Sequence, residues 1–524
     1  MKRSLNLLWL LVSVWSPTLA EDRYSAACES HTGSCVLLPP IGGAPDLAAA
    51  YKARIAGDLD LAVRLSSSAI DKGLPTEHRA LGYTTRGDAY HRMGDAGRAI
   101  SDFTQALRLD PNNAEAYIGR GEAYVQARAT GDVDRAISDF QQVLRLDPAA
   151  DRYAKHQAEI DLAIVQSTSA LDDDNSLAAT RATAYIARGH AYNEKGDAER
   201  AIGDFSDALR LDPSRTEAYI GRGRAYSSKN DYERATSDLT AALRLSPDAV
   251  DAYRLRGVAR HNHEDYGGAV KDYTEVLRLD PDDAEAYHGR GLSASYNGDY
   301  DNAISDLSEA LRLAPRFAAR SRSEGEDPSV TTWSGDVFSE DLYGDRAYAL
   351  YLKGDYDRAI DDATEALRLE KDSNKYKIRG YAYFFQGQFQ SAIEDFDNCL
   401  THRIADQYCL IWRYLARERA AQEGVQELST TIAAWRDAPW PYPILRYFMG
   451  GLTRDQLMIA AGNAGPEAFE PLCDVAAYLG EYELLHGNQD AAQALFRAAV
   501  TQCSRSNRAH KLAAEELRRQ AGPH

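Results

Sequence analysis

The chain has 524 residues, 44% hydrophobic and 27% charged, which is enough apolar material for folded structure and more length than one compact core usually takes. It must therefore divide into domains or repeat. A formal net charge of −19 argues against a nucleic-acid or anionic-membrane partner, since Lys and Arg must neutralise phosphate there, and fits a solvated acidic exterior.

Residues 1–20 begin with Lys2 and Arg3, run apolar from Leu5 to Trp15 and close on Thr18-Leu19-Ala20, the layout of a cleaved secretory signal. The apolar run is shorter than the roughly 20 residues that span a bilayer, so a mature chain starting near Glu21, periplasmic or secreted, is expected. A lipid anchor needs a thiol directly after the run. The first cysteine is Cys28, preceded by Ser25-Ala26-Ala27 without the usual aliphatic residue, so soluble export is the expectation. Within the N-terminal segment 21–45, Cys28 and Cys35 flank Gly33 and suggest a small closed loop.

From residue 46 to 404 the sequence repeats. An arginine-glycine pair recurs in RGDAY (Gly87), RGEAY (Gly121), RGHAY (Gly189), RGRAY (Gly223), RGVAR (Gly257) and RGLSA (Gly291), at steps of 34, 68, 34, 34 and 34 residues. With Tyr three residues on, Ala nine after that, an aromatic or Leu four further, and a closing Pro, this period resembles the tetratricopeptide helix-turn-helix unit. Gly87 and Ala99 remove side chains where helix A of a unit presses on helix B, and Tyr90 and Phe103 fill the space around that contact. Gly94 suits the left-handed end of helix A, Asp95 the N-cap of helix B, and Pro111 its termination. The marker alanine recurs at Ala99, Ala136, Ala201, Ala235, Ala269, Ala303, Ala359, Ala392 and Ala492, with a divergent first unit around Ala62. Residues 151–181 have room for a degenerate pair of helices. The step from Ala303 to Ala359 is 56, and the excess over 34 falls in a Ser-, Gly- and Asp-rich stretch, expected as an exposed loop at about 316–338 carrying Trp333 and Phe338. The expected fold is an all-α tetratricopeptide solenoid, a right-handed superhelix of helix-turn-helix units, with a divergent C-terminal helical part over 405–524.

The cysteines are placed by the repeat. Counting Ala80 as position 1 of its unit, Cys473 opens helix A of the last unit (473–506) and Cys503 closes helix B, two ends that lie side by side in an antiparallel hairpin. Cys399 falls at position 27 and Cys409 at position 3 of the following helix, on faces expected to meet across a unit boundary. No CxxC occurs, so structural disulfides are favoured over a metal, and no cofactor is expected.

In solenoids of this kind, helix A positions 5, 9 and 12 line the concave surface. These hold Ile186, His190 and Asn193 in one unit, Ile220 and Arg224 in the next, Arg254 and His261 after that, and then His288. The four cationic or imidazole groups among Arg224, Arg254, His261 and His288 suit a carboxylate-bearing peptide or glycan, or they pair with acidic neighbours such as Glu217 and Asp251 and serve only the fold. Chaperone-binding repeats use Lys at position 5 and Asn at position 9; Thr84 and Asp88 stand there in the first clear unit, so that function is not supported. The pair of imidazoles and carboxylates in HNHED (His261–Asp265) lies where helix A turns into helix B and reads as structural. Asp102, Asp139, Asp204 and Asp238 recur at one repeat position, as solvated or interhelix groups would, and no GxSxG, HExxH, Walker-type loop or dinucleotide fingerprint occurs.

Beyond Ile404 the rhythm changes, then returns in CDVAAYLGEYELLHGNQDAAQALFRAAVTQC, and RAHKLAAEELRRQ has the charged face expected of a capping helix. WPYPILRYFMGGLT followed by AYLGEYELLHGNQDAAQALFRAAV resembles the C-terminal half of bacterial outer-membrane tetratricopeptide lipoproteins, adaptors for peptidoglycan hydrolases and a processing protease. That resemblance implies an adaptor role in the cell envelope. The expected function is a non-catalytic scaffold binding protein or peptide partners. The alternatives are an envelope enzyme using His402, Asp406, Glu418, Asp437 or Asp455, and a self-assembling solenoid that forms a homo-oligomer.

Overall fold

The computed structural model describes residues 25–28, 35–38, 45–127, 132–146, 152–171, 177–323, 335–402, 406–432, 440–463, 469–503 and 508–521. Residues 1–20, Trp333 and Asp437 lie outside the described residues. The first elements are a two-stranded antiparallel ribbon, β1 (Ser25–Cys28) and β2 (Cys35–Leu38), whose register sets Cys28 opposite Cys35. Every other described element is helical.

The helices run α1 (Pro45–Ala56), α2 (Leu59–Asp71), α3 (Thr76–Arg92), α4 (Ala96–Leu109), α5 (Ala114–Ala127), α6 (Asp132–Arg145), α7 (Arg152–Leu171), α8 (Ala178–Glu194) and α9 (Ala198–Leu211). They continue with α10 (Thr216–Ser228), α11 (Tyr232–Leu245), α12 (Val250–Asn262), α13 (Tyr266–Leu279), α14 (Ala284–Tyr296), α15 (Tyr300–Ser323), α16 (Gly335–Lys353), α17 (Tyr356–Leu369), α18 (Ser373–Phe385) and α19 (Phe389–His402). The C-terminal part holds α20 (Gln407–Arg419), α21 (Val425–Ile432), α22 (Tyr442–Phe448), α23 (Arg454–Gly462), α24 (Phe469–Leu485), α25 (Gln489–Gln502) and α26 (Arg508–Ala521). The chain forms two compact units, residues 1–255 and 256–524, divided within α12.

Each hairpin follows from local chemistry. Gly94 takes φ +85°, a left-handed conformation open to glycine, and ends α3. Asp95 then caps α4, accepting from the Arg98 backbone N–H at 3.0 Å, a contact typically worth about 1 kcal/mol. Asp197, Asp231 and Asp265 cap α9, α11 and α13 in the same way. In the HNHED turn, Glu264 takes the left-handed position at φ +65° and Asp265 supplies the cap, so this motif serves the hairpin.

The core of each hairpin is an aromatic or Leu from helix B set against glycine or alanine of helix A. A Cβ on Gly87 would stand 3.0 Å from Phe103 Cε1, and one on Gly119, in the next helix A, 2.3 Å from Phe103 Cζ. Phe205 is held likewise between Gly189 and Gly221, and Tyr273 between Gly257 and Gly289. Where helix B carries the smaller Leu239, the corresponding position of the next helix A is Leu255, which packs against it. Side-chain volume is thus conserved across the unit boundary by exchanging ring plus glycine for two leucines.

In residues 1–255, helix α3 touches α1 and α5, α5 touches α7, and α8 touches α10; in residues 256–524, α16 touches α14 and α18, and α18 touches α20. The A helices therefore form the inner layer of each unit. Two expectations change. One 20-residue helix, α7, stands where a degenerate pair is expected among residues 151–181. The 316–338 stretch is not simply a loop: α15 runs on to Ser323 and α16 begins at Gly335, taking in Phe338. Helix α26 packs against α24 and α25 of the last hairpin. No helix among the described residues is long and apolar enough to cross a membrane.

Cys399 is bonded to Cys409, joining α19 to α20, and Cys473 to Cys503, joining the two ends of the α24–α25 hairpin. Asp406, close to the first disulfide, caps α20 and accepts from Lys377 Nζ at 2.9 Å.

Candidate functional site

The recurring charged residues form a repeated clamp. Arg86 of α3 donates from Nε and Nη2 to Asp102 Oδ2 and Oδ1 of α4 at 2.7 and 2.9 Å, and from Nη1 to Ser67 Oγ of α2 at 2.9 Å. The same three-way contact joins Arg188 to Asp204 and Thr168, Arg222 to Asp238 and Ser206, Arg290 to Asp306 and Thr274, Arg346 to Asp362 and Ser308, and Arg379 to Asp395 and Thr364. Arginine and aspartate are 16 residues apart in these pairs and 19 apart for Arg120 and Asp139, where the three residues inserted after α5 take up the difference. A planar guanidinium fork matches a carboxylate at two points and leaves one N–H for a hydroxyl on the preceding helix B. The repeated aspartates are consequently interhelix groups.

The inner-face positions behave unequally. In residues 1–255, Ile186 is buried with Phe205 in the hairpin core and is not a surface residue. Asn193 Nδ2 donates to the Gly221 carbonyl at 2.9 Å, tying one helix A to the next. The His190 ring sits edge-on to Phe205 at 5.1 Å, and burial, with Arg224 nearby, pushes its imidazole below the usual value. Ile220 is half-buried against the Leu239 cluster, Arg224 is exposed and Arg254 is half-exposed.

In residues 256–524, His261 Nδ1 is 3.0 Å from Ser293 Oγ and its ring meets Tyr266 and Tyr296 edge-on; burial holds its pKa down. His288 is buried, with Nε2 at 2.7 Å from Asp345 Oδ2 of α16. Ile186, Asn193, His261 and His288 are thereby engaged inside the fold, while the Arg224 side chain is exposed and Arg254 is part-buried.

The structure adds a recess that the repeat positions do not disclose. A cavity of about 360 Å³ opens among α3, α5, α7 and α8, lined by His91, Glu122, Val125, Phe140, Asp161, Tyr192 and Lys195 among others. Lys195 Nζ reaches Asp161 Oδ1 at 2.6 Å and Glu122 Oε1 at 3.1 Å, and His91 Nε2 is 3.7 Å from Glu122 Oε2. Burial, then the Asp161 charge, raises the Glu122 pKa. His91, Glu122 and Val125 stand at positions 12, 9 and 12 of their helices, so the inner-face rule contains part of the signal. Asp161 does not, because it comes from the single helix α7.

Among the acids the sequence offers in the C-terminal part, Asp406 caps a helix and Glu418 Oε1 accepts from the Gly424 backbone N–H at 3.3 Å. Asp455 is exposed in the first turn of α23, and the His402 side chain lies outside the described residues. The deeply buried carboxylates are others. Asp474 accepts from the Tyr408 hydroxyl at 2.8 Å and from Trp440 Nε1 at 3.1 Å. Glu481, with no exposed surface, accepts from Arg419 Nε at 2.6 Å, and Arg419 lies 3.1 Å from Glu516 of α26.

Burial, then the charge of Glu516, pushes Glu481 up to about 7, while Arg419 and Arg519 oppose the shift. Its folded value thus exceeds the ordinary 4.5, so the folded chain binds the extra proton, and this group's stabilisation is full below about pH 4.5 and is lost as pH rises through 7. Replacing Glu481 with Gln should remove that segment of the profile. The variant's stability relative to the unmodified protein is expected to rise between pH 5 and pH 8 in denaturant titrations, and a difference that stays flat would refute the assignment.

Residues 84–151, 186–235 and 220–284 match a tetratricopeptide repeat family, and residues 284–317 match a second family of the same repeat. These stretches are tetratricopeptide repeats, and with the helix-turn-helix packing above they make the chain an all-α tetratricopeptide solenoid. Such repeats typically act as non-catalytic scaffolds for protein–protein interaction. No curated protein matches the chain. Among solved structures, the P58(IPK) TPR domain is 20% identical, covering 72% of this chain and 98% of that one, with a TM-score of 0.23. A tetratricopeptide repeat protein from Parabacteroides merdae ATCC 43184 is 18% identical, covering 58% of this chain and 98% of that one, with a TM-score of 0.34. Yeast Tom70 is 15% identical, covering 91% and 96%, with a TM-score of 0.30.

Proposed function

We propose that the chain is a non-catalytic scaffold of the bacterial cell envelope that holds protein or peptide partners on the inner helices of residues 1–255. The observation that carries this reading is the recess of about 360 Å³ on the A-helix face, where Glu122, Asp161, Lys195 and His91 are gathered against an apolar wall of Val125 and Phe140. A shaped apolar hollow with a few convergent polar groups is what a docking side chain needs. Its two carboxylates beside one ammonium favour a basic partner residue, and Arg224 and Arg254 favour an acidic segment further along.

Export is supported by the signal-like pattern of residues 1–20 and by the Cys399–Cys409 and Cys473–Cys503 disulfides, which persist in oxidising compartments. The adaptor role is supported by the likeness of the WPYPILRYFMGGLT region to outer-membrane adaptor lipoproteins.

Photo-crosslinkers placed at Val125 and at Arg224, on the inner helices, should yield discrete adducts in producing cells, whereas Arg210 and Arg244 on helix B should not. Arg224→Glu with Arg254→Glu is expected to reduce the adduct from position 125 by about tenfold, the scale of roughly 1.4 kcal/mol in binding. Equal labelling from helix B positions would end this reading.

A further inference from the structure

The recess of residues 1–255 owes its walls to a break in the repeat. Where the period leaves room for a pair of helices, the single helix α7 stands instead, and it supplies Asp161, Ile164 and Val165 to the lining. Phe140 of α6 and Arg200 of α9 line it as well, so helices of both kinds, A and B, enclose it. At about 360 Å³ it lies at the small end of the roughly 300–1,000 Å³ that small-molecule sites occupy. That size suits a small free molecule.

Its charges are unequally matched. Lys195 Nζ is 2.6 Å from Asp161 Oδ1 and 3.1 Å from Glu122 Oε1, so one ammonium serves two carboxylates. The second oxygen of Glu122, Oε2, has His91 Nε2 at 3.7 Å, beyond hydrogen-bond reach. Arg200, also in the lining, is committed to Asp197, and its guanidinium lies 4.6 Å from the Tyr192 ring centre. Burial and the Asp161 charge raise the Glu122 carboxyl, which Lys195 and His91 oppose without cancelling. A partly desolvated carboxylate that shares its only close cation is completed by one further positive charge. Val125, Ile164 and Val165 offer apolar contact in the same recess for whatever carries that charge.

We infer that the recess is a binding site for a small organic amine, a single ammonium group on a short apolar stem, with the ammonium donating to Glu122 Oε2 and the stem lying against Val125, Ile164 and Val165. Lys195 keeps Asp161, the nearer of its two carboxylates, and Glu122 gains a cation of its own. The inference rests on the reading of this recess as a binding hollow and gives it an occupant other than a protein. Crosslinking from positions 125 and 224 tests the scaffold and needs no amine, so either result can fail while the other stands.

Ligand-observed NMR titration of the full-length protein decides it. Isoamylamine is expected to bind with a Kd on the order of 1 mM, the range open to a ligand of so few atoms. Isoamyl alcohol, of the same shape without the charge, and isovalerate, of opposite charge, should bind about tenfold more weakly or worse. Glu122→Gln should weaken the amine about tenfold and leave the alcohol unchanged. Val125→Trp, which fills the recess from an exposed position, should abolish amine binding and keeps the test decisive where Glu122→Gln does not fold. Equal binding of amine and alcohol would overturn the inference, as would amine binding that survives in both variants. So would binding of Nα-acetyl-lysine methylamide where isoamylamine shows none at about 10 mM, an outcome that assigns the recess to a partner's lysine.

Discussion

Asp272→Ala is expected to destabilise residues 256–524 by about 3–5 kcal/mol, the scale for breaking a buried ion pair by removing one partner. Asp272 is 2% exposed and is shared by two arginines: Arg256 donates from Nη2 at 2.7 Å and Nε at 3.0 Å, and Arg260 from Nη1 at 2.8 Å. The alanine variant leaves both guanidinium groups in place, with side chains only 13% and 24% exposed, and removes the carboxylate that neutralises them. The control is Asp207→Ala, whose partner Arg210 lies at 3.2 Å with 69% of its side chain exposed, and where solvent screening limits the effect to about 0–1 kcal/mol. Denaturant titration followed by hydrogen exchange of α12 to α14 would separate the two. A loss at Asp272 no larger than at Asp207 would show that the clamp is ornamental.

The second large effect is expected at the aromatic-glycine contact. A Cβ on Gly221 would stand 2.2 Å from Phe205 Cζ, so Gly221→Leu forces ring and backbone apart. Overpacking of this kind costs about 3 kcal/mol at the upper end of its usual range, which outweighs the roughly 1 kcal/mol of helix propensity that losing glycine returns. Phe205→Leu in the same chain should restore most of the loss, because Leu239 and Leu255 already pack together at the corresponding positions of the next hairpin. A double-mutant cycle measures this as a coupling of opposite sign to the single penalties. Simple additivity would mean that volume across the boundary is not what these residues share.

Much of the architecture was legible because it is local and repeated. Gly94, Asp95 and Ala99 each act within one hairpin, at separations of a few residues, and the 34-residue step copies that hairpin along the chain. The partners of Cys473 and Cys399 followed from where the repeat puts helix ends. The sites were less legible. His288 reads as a groove residue from its repeat position, yet it meets Asp345, which lies 57 residues on and beyond the irregular step after Ala303. Ile186 reads as inner surface and is core, because the ring of Phe205 and its neighbours close over it.

The amino-acid sequence by itself determined the helical hairpin, its period, its turns and caps, and the close approach of helix A to helix B, since each depends on side chains that meet within one or two turns of chain. Tertiary structure alone decided that α7 is a single helix contributing Asp161 to the recess, and that the charged stripe of α26 faces inward, with Lys511 against a carbonyl 159 residues earlier. The physical reason is that a stripe of alternating charge is equally stable in water or against complementary groups. Only the stacking of helices from distant parts of the chain supplies those groups.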